Sequence, residues 1–191
     1  LDLSDQGLGG SLPASFSNLT SLRRLNLASN QFSGSISPLS TLVQLTRLDV
    51  SDGTNNFTGE LPLSLLRKKL TGGMELALHE NGDDDNHISL PRNIGSLEGT
   101  VIKDELDLSG QGLGGSLPAS FSNLTSLRRL NLALNQFSGS ISPLSTLVQL
   151  SSVDVSTNRF HSSISPLATL TQLTSLAVHG DNYGACPDNC N

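Results

Sequence analysis

Four histidines, two cysteines and one run of aspartates carry most of the reactive side chains in this sequence. Asp83, Asp84 and Asp85 with Asn86 offer hard oxygen ligands of the kind calcium accepts. Their spacing is not that of a calcium loop, and the run reads as a solvated surface bulge. His79 and His179 fall at equivalent positions, and neither has a Cys or carboxylate at a metal-site offset. His87 and His161 are similarly isolated. The sequence has no Ser, His and Asp set, no GxSxG elbow, no Gly-rich phosphate loop and no zinc spacing. It therefore points to no catalytic residue, no cofactor and no metal. Cys186 and Cys190 sit in Gly-Ala-Cys-Pro-Asp-Asn-Cys-Asn at 184–191. They can bridge each other, pair with cysteines outside the chain, or stay as thiols. A disulfide, which implies an oxidising compartment, is the favoured reading. Asn18-Leu-Thr20, Asn56-Phe-Thr58 and Asn123-Leu-Thr125 have the form of glycosylation sequons, which points the same way.

The elements that must position these groups follow a beat. Leu-x-Leu or Leu-x-Val triplets begin at Leu1, Leu25, Leu48, Leu76, Leu106, Leu130, Val153 and Leu176, at intervals of 24, 23, 28, 30, 24, 23 and 23 residues. Within a triplet the apolar residues alternate, as in a short strand with one face buried. An Asn follows at 30, 55, 81, 135 and 158, with Gln6 and Gln111 in that place in two units. A buried Asn there can bond to the backbone of the neighbouring turn. Next come Leu8, Phe32, Phe57, Leu113, Phe137 and Phe160, expected to stack in one core column, Tyr183 with them. A Gly for the turn, a Leu or Ile and an LxxL stretch close the unit. The third unit carries extra residues at 52–55, and the fourth is irregular around 80–87.

A longer echo lies over the beat. Residues 1–50 and 106–155 match at 45 of 50 positions without a gap. The five differences are Asp5/Gly110, Ser29/Leu134, Thr46/Ser151, Arg47/Ser152 and Leu48/Val153. A duplication is easily tolerated by a stack in which each unit touches only its neighbours.

The pattern LxxLxLxxNxFxGxIP, running through the chain, resembles the leucine-rich repeat family in its plant-type form. The resemblance implies an α/β solenoid, a horseshoe of about seven to eight repeats with short parallel strands on its concave face. It implies one leucine-rich repeat domain over 1–191, in duplicated blocks 1–105 and 106–191, with a C-terminal cap region from about 176. With Leu1 falling inside the repeating pattern, the chain reads as a piece of a longer protein.

Composition narrows the partner. Of 191 residues 36% are apolar and 4% aromatic, with no Trp, so stacked leucines must replace the rings of an ordinary core. A net charge of −6 argues against nucleic acid, and no apolar run reaches the length of a membrane span. The short basic cluster Arg67-Lys68-Lys69 reads as a solvated face. The resemblance implies a protein or peptide ligand on the concave face of an extracellular or cell-surface, receptor-like protein, and neighbouring domains in the same protein. The residues expected to face that ligand are Arg24, Asn26, Arg47, Asp49, Glu75, His79, Glu105, Asp107, Arg129, Asn131 and Asp154. Only the arginines among them are typical interface anchors. Three rival readings are an inhibitor of a secreted hydrolase, a wall or matrix component, and an ice-binding protein. The last would use the hydroxyl row Ser11, Ser35, Ser89, Ser116, Ser140 and Ser163, which Glu60 interrupts.

Overall fold

The computed structural model describes residues 1–51, 54–78 and 87–179. His79, the 83–86 run, Tyr183, Cys186 and Cys190 lie outside these described residues. The chain forms two compact units, Leu1–Pro91 with Gln111–Leu113, and Arg92–Gly110 with Gly114–Asn191.

In the first unit the strands are β1 (Gly9–Ser11), β2 (Arg24–Asn26), β3 (Gln31–Ser35), β4 (Arg47–Asp49), β5 (Asn56–Glu60), β6 (Glu75–Ala77) and β7 (Ile88–Ser89). They make two parallel ladders. One runs β2-β4-β6 with Leu25, Leu48 and Leu76 in register. The other runs β1-β3-β5-β7. The second unit holds β8 (Glu105–Asp107), β9 (Gly114–Ser116), β10 (Arg129–Asn131), β11 (Gln136–Gly139), β12 (Ser152–Asp154), β13 (Arg159–Phe160) and β14 (Ser175–Ala177). Its ladders run β8-β10-β12-β14 and β9-β11-β13. The triplets thus supply one ladder of each unit, which is called the triplet sheet below.

The alternation predicted for the triplets is observed in the inner ones, while Leu1 and Leu176, at the first and last triplets, are exposed. Leu25, Leu48, Leu106, Leu130 and Val153 are buried while their neighbours on either side face outward. Each fully buried Leu or Phe contributes about 1.5–3 kcal/mol relative to exposure, so the column of repeats is held chiefly by this stacking. Phe32 stacks on Phe57 at 5.9 Å between ring centroids, and Phe137 on Phe160 at 6.3 Å. Leu8, expected in the same column, is instead 38% exposed, because the strand that follows it, β1, has a partner on one side only, β3. Its duplicate, Leu113, is 1% exposed.

Asn30, Asn55, Asn135 and Asn158 act as expected, and Asn81 lies outside the described residues. Asn30 accepts at Oδ1 from the Gln6 and Leu8 N–H groups and donates from Nδ2 to the Leu3, Leu27 and Ala28 carbonyls. Asn158 accepts from Phe137 N–H and donates to the Leu132, Val155 and Ser156 carbonyls. One buried amide therefore closes its own turn and pins the preceding repeat. Gln6 does not take this role. It is exposed, and its amide bonds to the Ser4 and Asp5 carbonyls of its own loop.

The segments opposite the triplet sheets are mostly single 3₁₀ turns, at Ala14–Asn18, Ser37–Leu39, Ile94–Leu97, Ala119–Asn123, Ser142–Leu144 and Ser165–Thr169. Repeats of 23–24 residues leave room for little more, and Pro38, Pro143 and Pro166 fix the entry of three of these turns. The 28-residue interval after Leu48 accommodates the only α-helix among the described residues, α1 (Leu63–Leu70). Arg67, Lys68 and Lys69 occupy its last turn, where the helix dipole favours cations, and Lys68 Nζ donates to the Val43 carbonyl at 2.7 Å. No described helix is long and apolar enough to cross a membrane.

Candidate functional site

The outward residues of each triplet sheet form two rows in strand register. In the first unit one row is Arg24, Arg47, Glu75 and the next is Asn26, Asp49, Ala77, with Asp2 bridged to Asn26. In the second unit the rows are Glu105, Arg129, Ser152, Ser175 and Asp107, Asn131, Asp154, Ala177. All of the described residues expected to face a ligand therefore lie on these two sheets, and within each unit they are side by side.

Their charges are largely spoken for. Arg47 pairs with Glu75 at 3.1 Å and reaches Asp49 at 3.7 Å. Arg129 pairs with Glu105 at 2.9 Å and Asp104 at 3.7 Å. The hydrogen bond and charge of Glu105, with Asp104 behind them, hold the Arg129 guanidinium above its usual pKa. Arg24 forms no ion pair among the described residues, so it is the uncommitted cation of the first sheet. Arg24, Asn26, Arg47, Glu75 and Asp2 are among the residues lining an open concavity of ≈ 980 Å³.

The second row has a structural task that is not apparent from residue columns alone. Asp2, Asp49, Asp107 and Asp154 each accept at Oδ1 from the N–H and hydroxyl of the Ser two residues on: Ser4, Ser51, Ser109 and Ser156. Asn26 and Asn131 accept in the same way from the Ala28 and Ala133 N–H groups. This local bond bends the chain out of the strand. The signal was present in the sequence as a recurring Asp-x-Ser. Of the residues that bond back in this way, Ala28, Ser51, Ala133 and Ser156 are buried, and Ser4 and Ser109 are half-buried. One carboxylate oxygen of each Asp is left for other partners. The two bonds from Ser4 hold the Asp2 carboxyl below the usual carboxylate range.

Other expected sites fall elsewhere. Asn18 and Asn123 end the 3₁₀ turns opposite the triplet sheets, with exposed side chains. Asn56 opens β5 and is half-buried. The hydroxyl row is partly accounted for by turn chemistry: Ser35, Ser140 and Ser163 accept from the N–H groups of Ser37, Ser142 and Ser165. His161 and His179 are exposed, and no group of three or more metal-ligating side chains occurs among the described residues.

The backbone adds a feature of its own. Asp5, Ser29, Leu134 and Thr157 adopt φ of +51° to +57° at the turns leaving four of the triplets, a left-handed conformation uncommon outside glycine. Gly110 has φ +62° at the same place. A leucine here is the exception on chemical grounds, and Leu134 is 62% exposed.

Comparison with known proteins agrees with the geometry. A family model described as Leucine Rich Repeat matches residues 21–42 and 104–124. Receptor-like protein 39 and Receptor-like protein 41 of Arabidopsis thaliana are each 38% identical over 141 residues, 74% of this chain. The chain spans 15% of the length of each. Among solved structures, the plant peptide hormone receptor RGFR1 in complex with RGF2 is similar over 94% of this chain and 28% of its own, with a TM-score of 0.52 and 28% identity. With its triplet ladders, its buried asparagines and these relatives, the chain belongs to the plant-type leucine-rich repeat family.

Proposed function

We propose that the chain is a non-catalytic recognition module which binds a protein or peptide on its triplet sheets, the concave face of the family horseshoe. It works at the cell surface or outside the cell, as one leucine-rich repeat domain of a longer receptor-like protein. The observation that carries this is the two rows of outward polar side chains on rigid parallel strands, with Arg24 uncommitted above an open concavity. The receptor-like relatives and the peptide-bound structural neighbour support it. The sequons at Asn18 and Asn123 lie opposite this face, so glycans there leave it open. Disulfide-bonded Cys186 and Cys190, joined to each other or to cysteines outside the chain, belong to the same reading, and deglycosylation and reduction followed by intact mass measurement test both modifications.

A random dodecapeptide library displayed against the purified chain tests the face. Selected peptides held by the first unit should lose roughly tenfold or more in binding on Arg24→Glu, and those held by the second unit on Asn131→Arg. Val43→Arg, on an exposed residue away from the triplet sheets, should bind as the parent does. Equal binding by all three variants would place recognition elsewhere.

A further inference from the structure

The five positions at which the copies differ are not scattered. Asp5/Gly110 and Ser29/Leu134 occupy the left-handed turn at the exit of two successive triplets, and 46–48/151–153 is one strand of the triplet sheet with the residue before it. Asp5 N–H donates to the Ala28 carbonyl, and Gly110 N–H to Ala133, so the two turn positions are neighbours in each copy. Two of the five changes are silent in the geometry. Thr46 and Ser151 both donate their hydroxyl to the carbonyl of the preceding repeat, Arg23 or Arg128, and Leu48 and Val153 are both buried. The other three change what the face presents. The first unit shows Asp5, Ser29 and Arg47; the second shows Gly110, Leu134 and Ser152.

The consequences are coupled. Without an arginine at 152, Asp154 has no cation to match the one Arg47 brings to Asp49 at 3.7 Å. Its Oδ1 is held by Ser156, and the half-buried carboxylate has no ion pair among the described residues. Asp107, two strands away across Asn131, also has no ion pair, since Arg129 is turned to Glu105 and Asp104. Past this row, Leu134 projects at 62% exposure beside Gly110, whose missing side chain leaves open space with nothing within 4 Å of a Cβ built there. Leu134 lies three residues beyond Asn131, past the bend at which the Ala133 N–H donates to Asn131 Oδ1.

We infer that the second unit is a distinct subsite which takes an extended segment carrying a Lys or Arg and an aliphatic or aromatic residue two to four positions apart. The cation lies between Asp107 and Asp154, and the apolar side chain fills the gap over Gly110 against Leu134. The first unit does not accept this segment, because Arg47 occupies Asp49 and the apolar step is replaced by Ser29 and Asp5. The exposed leucine held in a left-handed turn fits a side chain retained for contact rather than for stability. This inference rests on the triplet sheets being the recognition face.

The same dodecapeptide library tests it. The pool selected on the parent chain should be enriched in Lys or Arg with Leu, Ile, Val, Met or Phe two to four residues away. Leu134→Ser, which installs the residue of the other copy, and Asp154→Asn should each weaken the pool by roughly tenfold. Converting the first unit with Asp5→Gly, Ser29→Leu and Arg47→Ser together should raise the stoichiometry by one further site. A pool without the basic–apolar pairing, or one indifferent to Leu134→Ser and Asp154→Asn, overturns the inference. If that pool is still lost on Arg24→Glu, the recognition face stands and only this subsite falls; if it is indifferent to Arg24→Glu and Asn131→Arg as well, both fall.

Discussion

Residues 16–27 and 121–132 are the same twelve amino acids, FSNLTSLRRLNL, yet they live in different surroundings. Phe16 is half-buried and Leu19 is 38% exposed, whereas Phe121 and Leu124 are fully buried. The 3₁₀ turn Ala14–Asn18 packs against one such turn, Ser37–Leu39, while Ala119–Asn123 is held between Ile94–Leu97 and Ser142–Leu144. Glu98 Oε1 also accepts from the Ser126 N–H at 2.8 Å, a bond reaching back to the repeat before. Stability in a repeat stack is therefore a property of the interface between neighbours, not of the repeat's own sequence.

The largest expected effect comes from removing the same ring at both places. Phe121→Ala should cost about 3–5 kcal/mol, as for a large buried aromatic whose cavity cannot collapse. Phe16→Ala, with much less surface withdrawn from water, should cost about 1–2 kcal/mol. Urea unfolding of the full chain followed by circular dichroism measures both. Equal costs would mean that the two packing environments are equivalent and that the burial difference has no energetic weight.

Gly95 sharpens the point. It sits in the turn that covers Phe121, and a Cβ there would run into the Ser120 carbonyl and come within 3.0 Å of Asn123 Cβ. The Gly95 N–H donates to Ser120 Oγ at 3.4 Å, so the backbone of one turn meets the side chain of the other. Gly95→Ala should destabilise by about 1–3 kcal/mol through overpacking, read in the same urea experiment. Little change would show that the neighbouring turns can move apart freely.

How much of this was legible beforehand depends on the range of the interaction. The triplets, the Phe column and the asparagine bonds repeat with the unit, so period and residue type define them without coordinates. Leu8 was misplaced because its exposure depends on strand β1 having one partner, which no local pattern encodes. The residues expected to face a ligand do fall side by side on the triplet sheets, but the second row was read as free side chains. Asp49, Asp107 and Asp154 each give one oxygen to a Ser two residues on, which column reading overlooks because it compares repeats rather than neighbours along the chain. The ion pairs of Arg47 and Arg129 were invisible for a related reason. They join residues 28 and 24 apart, and only strand register brings these together.

A smaller effect separates the copies at their turns. Leu134 and Ser29 share φ near +55°. A left-handed turn crowds the Leu Cβ, and Asn adopts it more readily, so Leu134→Asn should stabilise the chain by about 0.5–1 kcal/mol. Ser29→Leu should have the opposite sign and a similar size. Paired thermal melts would show it. A loss of stability on Leu134→Asn would mean that the exposed leucine packs favourably enough to outweigh its backbone cost.

The smallest effect is electrostatic. Asp2 accepts from the Ser4 N–H at 3.0 Å and from the Ser4 hydroxyl at 2.7 Å, and these bonds favour its ionised form. Its folded pKa therefore lies below the unfolded value of about 3.9. A carboxyl depressed in this way adds stability that is complete above the unfolded pKa and fades as pH falls through the folded one. The side chain is fully exposed, so the signature to follow is the titration itself, by carboxyl carbon NMR, rather than a melting point. Ser4→Ala deletes the hydroxyl bond and keeps the N–H bond, so the Asp2 midpoint should rise part of the way toward the ordinary carboxylate value. Ser109→Ala makes the same change in the second copy and should leave the Asp2 midpoint where it was. If Ser4→Ala also leaves it unmoved, the backbone N–H alone holds the turn, and the serine at this place in four repeats serves some purpose other than holding the aspartate ionised.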